Sequence, residues 1–173
     1  MSNVNGHQLN PNRSSLDWYP TDPRWVTPLL QIVEFEGDIW EPCAGDGCMS
    51  DALPGMVHSS DIEPRRDDVK RLNALELGSV QNIVTNPPYN ALKTLVPHWL
   101  STVEGRLALL VRLNFLEAQS RMPWLTGANA PEHVIVVASR MKVLGKTSQF
   151  PHCWVVWNRA MPCQTQLHIK KPR

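Results

Sequence analysis

One hexapeptide, Thr85-Asn86-Pro87-Pro88-Tyr89-Asn90, limits what this chain can fold into more than any other stretch. It follows the apolar pair Ile83-Val84, which reads as the end of a buried strand. Neither a strand nor a helix can run on through it, because each proline fixes φ at about −65° and lacks a backbone donor. The strand must therefore end in a stiff shelf whose exposed atoms are acceptors. The Asn86 side-chain carbonyl and the Pro87 backbone carbonyl can both face a pocket, and no proline N–H is there to repel an incoming NH₂ group. Such a shelf suits a planar exocyclic amine, with its two hydrogens on the two oxygens and the Tyr89 ring stacked on the base. A plain loop with two helix-breaking prolines is the alternative, and the rest of the chain has to decide between them.

With 173 residues, 42% of them hydrophobic, the chain suits one globular domain with one core and one site. No run approaches the ~20 apolar residues of a membrane span, and residues 1–12 lack the apolar core of a signal peptide. The expectation is a soluble, cytoplasmic protein without a membrane partner. Cys43, Cys48, Cys153 and Cys163 form no CxxC pair and have no histidine at metal-finger spacing, so they read as reduced thiols and no metal is expected. Net charge is only +1, which leaves any nucleic-acid contact to local patches: Arg65-Arg66 with Lys70-Arg71, Arg140 to Lys146, and Lys170 to Arg173.

Residues 1–16 are polar and aperiodic and read as a flexible arm, 17–159 as a single domain, and 160–173 as a basic tail. Trp25, Val26, Leu29, Leu30 and Val33 suggest a helix behind an aromatic, proline-rich segment. Asp38 to Glu41 reads as a strand that turns through Gly45 and Gly47 into a short helix, Cys48 to Leu53, where the missing side chains at both glycines would let a ligand approach backbone N–H groups and the positive end of the helix dipole. A second strand, Met56 to Ser60, ends at Asp61, where a carboxylate can take both hydroxyls of a ribose, with Glu63 as competitor and Ile62 placed to pack on a base. Pro64 to Arg71 could form a short solvated helix. Leu92, Leu95, Val96, Trp99 and Leu100 follow helical spacing and read as core. Arg106 to Val111, His133 to Ala138 and Cys153 to Trp157 supply further strands. Arg112 and Asn114 fall at a strand's carboxyl end, where Arg112 either borders a site or pairs with Glu117. The long basic connection from Arg140 to His152 has the length of a functional loop. Alternating strands and helices with ligand loops at successive strand ends argue for an open, doubly wound α/β sheet.

Asn86-Pro87-Pro88-Tyr89 resembles the catalytic tetrapeptide of amino-group methyltransferases that use S-adenosylmethionine, above all the DNA adenine-N6 enzymes. Glu41-Pro42-Cys43-Ala44-Gly45-Asp46-Gly47 is similar to their cofactor loop, and phage-encoded members carry a segment like Arg112-Leu113-Asn114-Phe115-Leu116. The resemblance spans residues 17–159 and implies a Rossmann-like class I methyltransferase fold. Such a fold has a mostly parallel seven-stranded sheet, an antiparallel C-terminal hairpin, and helices on both faces. It implies cofactor contacts at Tyr19, Thr21, Glu41, Pro42, Cys43, Ala44, Gly45, Asp61, Ile62, Asn73, Ala74 and Asn86, with Glu41 near the cofactor's amino group. Asn86, Pro87, Pro88 and Tyr89 would be catalytic. Tyr89, Arg112, Lys146, Phe150 and His152 would meet the substrate, Phe150 being the first candidate to stack on an extruded base and His152 the second; either could instead be a buried hairpin residue. Two positions depart from the family's usual pattern: Asp22 stands where a proline is usual after Thr21, and Asn73 where an aspartate usually accepts from the adenine amine.

The implied activity is methyl transfer to adenine N6 in DNA; because the length leaves no room for a recognition domain, the expectation is little sequence selectivity or a very short context read by the Arg140 to His152 loop. RNA, a protein amide, and a cofactor-binding module without activity are the competing readings, and recognition shared across a homo-oligomer stays open.

Overall fold

The computed structural model describes residues 20–140, 142–143, 146–161 and 164–172, and gives only the backbone of residues 142, 143 and 146. Tyr19 and the arm of residues 1–16 lie outside the described residues.

In chain order the strands are β1 (Ile39–Glu41), β2 (Val57–Asp61), β3 (Lys70–Arg71), β4 (Asn82–Thr85), β5 (Arg106–Arg112), β6 (His133–Val137), β7 (Lys142–Val143), β8 (Lys146–Thr147), β9 (His152–Asn158) and β10 (Gln166–Lys170). Eight of them form one sheet in the order β10-β6-β9-β5-β4-β1-β2-β3, while β7 and β8 pair with each other. β1 is parallel to β2 and β4, with Ile39 opposite Val57 and Asn82. β9 is antiparallel to β5 from Arg106–Asn158 to Arg112–His152, and antiparallel to β6 on its other side.

Side-chain alternation sorts the strands' apolar residues into two cores. In β5, Leu107, Leu109 and Val111 go to one face and Ala108 and Leu110 to the other. β4 and β9 split likewise, Ile83 from Val84 and Cys153, Val155 and Trp157 from Trp154 and Val156. Both faces are covered, so these strands carry unbroken apolar runs. On the first face lies α2 (Leu92–Thr102), burying Leu92, Leu95, Val96, Trp99 and Leu100 as one stripe despite Pro97 in its interior. α3 (Met122–Leu125) adds Trp124 and Leu125 beside it. The opposite face receives the one-turn α1 (Thr27–Leu30) with Trp25, Val26, Leu29 and Val33. The Trp154 indole N–H donates to the Trp25 carbonyl at 2.8 Å, tying this segment to β9.

Four expectations need correction. The sheet has eight strands rather than seven, because part of the segment read as a tail forms β10, parallel to β6. β6 and β9 pair antiparallel as expected, but β10 lies outside β6, so the pair is not the edge of the sheet. The helix expected over Cys48 to Leu53 is a single 3₁₀ turn at Ser50–Ala52: Leu53 precedes Pro54 and is driven to extended backbone at ψ 147°. Pro64 to Arg71 is bends and β3 instead of a helix, its end captured by pairing of Lys70 and Arg71 with Ser60 and Asp61.

Asn82 fixes how β4 enters the sheet. Its buried amide donates to the carbonyls of Glu36 (2.7 Å) and Asp38 (3.2 Å) and accepts from the Arg106 N–H (3.0 Å), joining the starts of β1, β4 and β5. Each buried group left unpaired costs about 1–3 kcal/mol. Asn82→Ala should therefore lower unfolding stability by about 3 kcal/mol, read from the midpoint of urea denaturation.

Candidate active site

The carboxyl ends of β1, β2, β4 and β5 open on one cavity of about 860 Å³, within the range of small-molecule sites. Glu41, Pro42, Cys43 and Ala44 line it from β1 and the turn after it, and Asp61 and Ile62 from the end of β2. Asn73 and Ala74 come from the loop after β3. The shelf of Asn86, Pro87, Pro88 and Tyr89 follows β4, Arg112 ends β5, and Phe150 and His152 arrive on the connection into β9. Thr21 closes the side toward α1. Gly45 is not among the described lining residues, and of Lys146 only the backbone is described, in β8.

The Asn86 amide is oriented by Thr21: its Nδ2 donates to the buried Thr21 hydroxyl at 3.0 Å. With that end committed, the Asn86 carbonyl oxygen is the end left to accept. Pro87 and Pro88 hold the backbone, and Tyr89 opens the 3₁₀ turn Tyr89–Ala91 that leads into α2.

Glu41 is only 2% exposed. The Ser50 hydroxyl donates to its Oε2, and the Ser59 hydroxyl donates to Ser50 at 2.7 Å. Burial pushes its carboxyl pKa up to about 7, against the smaller opposing effect of the Ser50 hydrogen bond. No cation pairs with Glu41 among the described residues. Burial also pushes the Cys43 thiol up, which keeps it protonated and unreactive.

At the tip of β2, Asp61 is already engaged. Its Oδ2 accepts the Gly45 N–H and its Oδ1 the Glu63 N–H, both at 2.8 Å. The carboxylate thus braces the turn after β1, and only its remaining lone pairs can meet a ligand. Asn73 behaves similarly, its carbonyl accepting the Leu75 N–H at 3.0 Å as an N-cap. Ile62 is 62% exposed along the cavity edge. The two turn glycines differ from expectation. Gly45 has φ 55° and reaches the site through its bond to Asp61. At Gly47 a Cβ would fall 2.5 Å from the Arg66 guanidinium carbon, so its missing side chain makes room for Arg66 rather than for a ligand. The single 3₁₀ turn that follows is too short for the helix dipole expected there.

On the β5 side, the Arg112 guanidinium carbon sits 4.6 Å from the Tyr89 ring centroid and 4.3 Å from that of Phe150. Each such contact is worth about 0.5–1 kcal/mol at an exposed site. No ion pair joins Arg112 to Glu117. His152, opposite Arg112 in the β5–β9 register, is 4% exposed and meets the Trp25 ring edge-on at 5.7 Å. Burial, aided by the Arg112 charge, lowers its pKa to about 4, so the imidazole is neutral at ordinary pH.

Sequence reasoning missed Ser50, whose hydroxyl supports Glu41, because a serine in a short polar segment reads as solvated. It also missed Thr94, another lining residue, although its spacing of four from Asn90 puts both on one side of the helix entrance.

This arrangement, with ligand loops on the carboxyl ends of a mostly parallel sheet and β9 antiparallel within it, is the fold of class I S-adenosylmethionine-dependent methyltransferases. The solved structures it resembles include a Listeria monocytogenes protein assigned to that class, with a TM-score of 0.61, 12% identity, and coverage of 95% of this chain and 68% of that one. The methyltransferase subunit of a type I restriction-modification system from Streptococcus thermophilus gives 0.60 at 10% identity, over 90% of this chain and 47% of that one. The 23S rRNA methyltransferase ErmE gives 0.54 at 15% identity, over 81% and 68%. At these identities the likeness is one of fold. No family model matches the sequence, and no curated protein matches it.

Because the folded protein holds the Glu41 proton more tightly than an unfolded chain does, this group's contribution to stability is complete below the usual carboxyl range and is lost as pH rises through about 7. Glu41→Gln keeps an acceptor for Ser50 and carries no charge. It should melt at a higher temperature than wild type at pH 8 and lose that advantage at pH 4, as thermal scans at the two pH values would show.

Proposed function

We propose that this chain is an S-adenosylmethionine-dependent methyltransferase acting on the N6 amine of adenine in nucleic acid, DNA before RNA. The observation that carries the reading is the Thr21–Asn86 hydrogen bond, which commits the amide nitrogen and leaves the carbonyl oxygen to accept, on a residue that lines the same cavity as Glu41.

The residues around Glu41 fit the cofactor. A buried carboxyl with two hydroxyls behind it and no cationic partner is completed by an ammonium group, and Cys43, Ala44, Asp61, Ile62 and Asn73 line the space for the remainder. When bound, S-adenosylmethionine supplies a methyl carbon already activated by a sulfonium. The chain's own residues supply position and charge. Asn86 Oδ1 and the Pro87 carbonyl accept the two hydrogens of the amine, drawing its lone pair out of the ring plane. They then stabilise the positive charge that develops on the nitrogen. Tyr89 and Phe150 offer flat surfaces to the base, a contact worth about 1–3 kcal/mol per base. RNA is the second substrate class, because the fold neighbours include an rRNA methyltransferase.

Incubating the protein with labelled S-adenosylmethionine and separate pools of unmethylated DNA, RNA and protein tests the reading. Label should enter DNA and emerge from nuclease digestion as N6-methyladenine. Asn86→Ala should cut transfer by about 10²–10³-fold with little change in cofactor affinity, whereas Asp61→Ala should chiefly weaken cofactor binding. Cofactor affinity should rise with pH through about 7 as Glu41 ionises, and stay flat in Glu41→Gln. A wild-type protein that binds the cofactor and labels no nucleic acid is a binding module, and the proposal fails.

A further inference from the structure

Resting on that function, we propose that Arg112 is a removable stand-in for the target base: its guanidinium fills the Tyr89–Phe150 slot until a base enters, then moves to the substrate's phosphate. The first ground is the width of the slot. The distances from the guanidinium carbon, 4.6 and 4.3 Å, hold the two ring centroids no more than about 9 Å apart. One flat group in van der Waals contact with both rings needs about 7–8 Å. The slot therefore admits no more than one planar layer, and in the free protein that layer is Arg112. A guanidinium is planar, stacks on aromatic faces, and occupies the space a base would need.

The second ground is what the guanidinium lacks. Among the described residues, no carboxylate pairs with it, and its N–H groups donate to no protein acceptor in the hydrogen bonds of the site. An arginine placed for structure would spend its fork on a carboxylate or carbonyls, as Arg66 does on Asp51 and Asp68 and Arg106 on Glu132 and the Glu34 carbonyl. Arg112 instead keeps its donors for an acceptor that comes from outside.

The third ground is room to move. Arg112 and Phe150 also line a second depression of about 210 Å³, completed by Leu113, Asn114, Glu117 and Pro151. Phe150 is 43% exposed, so the slot opens at the surface. A nucleotide that delivers its base into the slot brings its phosphates to this same edge, where a displaced guanidinium meets an acceptor of matching geometry. No bond is made or broken in the exchange: the base replaces one stacked planar group, and the cation it displaces gains a phosphate.

The two halves of the proposal predict opposite shifts for two probes. With the cofactor site saturated by S-adenosylhomocysteine, binding is measured for adenosine, which has no phosphate, and for single-stranded oligo(dA). Arg112→Ala should bind adenosine about tenfold more tightly than wild type. It should bind oligo(dA) more weakly, with the salt dependence of log K reduced by about 0.7, one phosphate contact on a single strand. Arg112→Lys, charged but not planar, should gain the adenosine affinity while keeping the oligo(dA) salt slope. Melting temperatures of the variants confirm that they are folded. Adenosine affinity that is unchanged or weaker in folded Arg112→Ala overturns the stand-in, and so does an unchanged salt slope. A wild-type protein that binds neither probe overturns the proposed function along with it. If wild type binds oligo(dA) and both probes shift alike in Arg112→Ala, the stand-in alone fails.

Discussion

The whole site hangs on the carboxylate at the tip of β2. By accepting N–H groups from both Gly45 and Glu63, Asp61 joins the turn after β1 to the turn after β2 and sets the floor on which Cys43, Ala44 and Ile62 stand. Parallel pairing of β1 with β2 and β4 brings three strand ends to one rim, so a single bond between adjacent turns can organise a cavity. The β5–β9 ladder contributes from the opposite direction. Because β9 runs antiparallel, it begins at the rim where the others end, and this sets His152 beside Arg112 and Phe150 near Tyr89.

Groups of opposite charge face the cavity from its two ends. Among the described residues, the buried carboxyl on the β1 side lacks a cation, and the half-buried guanidinium on the β5 side is held by two rings. Between them lies the neutral amide of Asn86 with one end committed to Thr21. His152 adds no charge, since burial keeps it neutral.

Much of the fold was legible because its signals are local and redundant. The apolar runs of β4, β5 and β9 and the stripe of α2 each repeat one period several times. The shelf was legible for a different reason: two prolines after a strand leave the backbone few choices. What escaped was decided by partners far apart in sequence. β10 carries the weak pattern Gln166-Leu167-His168-Ile169-Lys170 and becomes a strand only because β6 offers an edge. Gly47 looked like a ligand's approach until Arg66, nineteen residues on, was seen to occupy its space. Asp61 was chosen as a ligand acceptor for its place at a strand tip and Asn73 through the resemblance, yet Asp61 spends both oxygens and Asn73 its one on backbone N–H groups. Which residues line the cavity was largely legible, whereas their hydrogen-bond commitments were not.

The position of β9 also bears on how the molecule comes into being. A ribosome delivers β5 long before β9, and until residue 158 has emerged the apolar flank of β5 has nothing beside it but β4. The nascent chain must carry that open edge through the synthesis of β6 and the β7–β8 ladder. During synthesis the sheet can be completed only after β9 has emerged, and the interval before it is when unfinished copies are most prone to pair with one another.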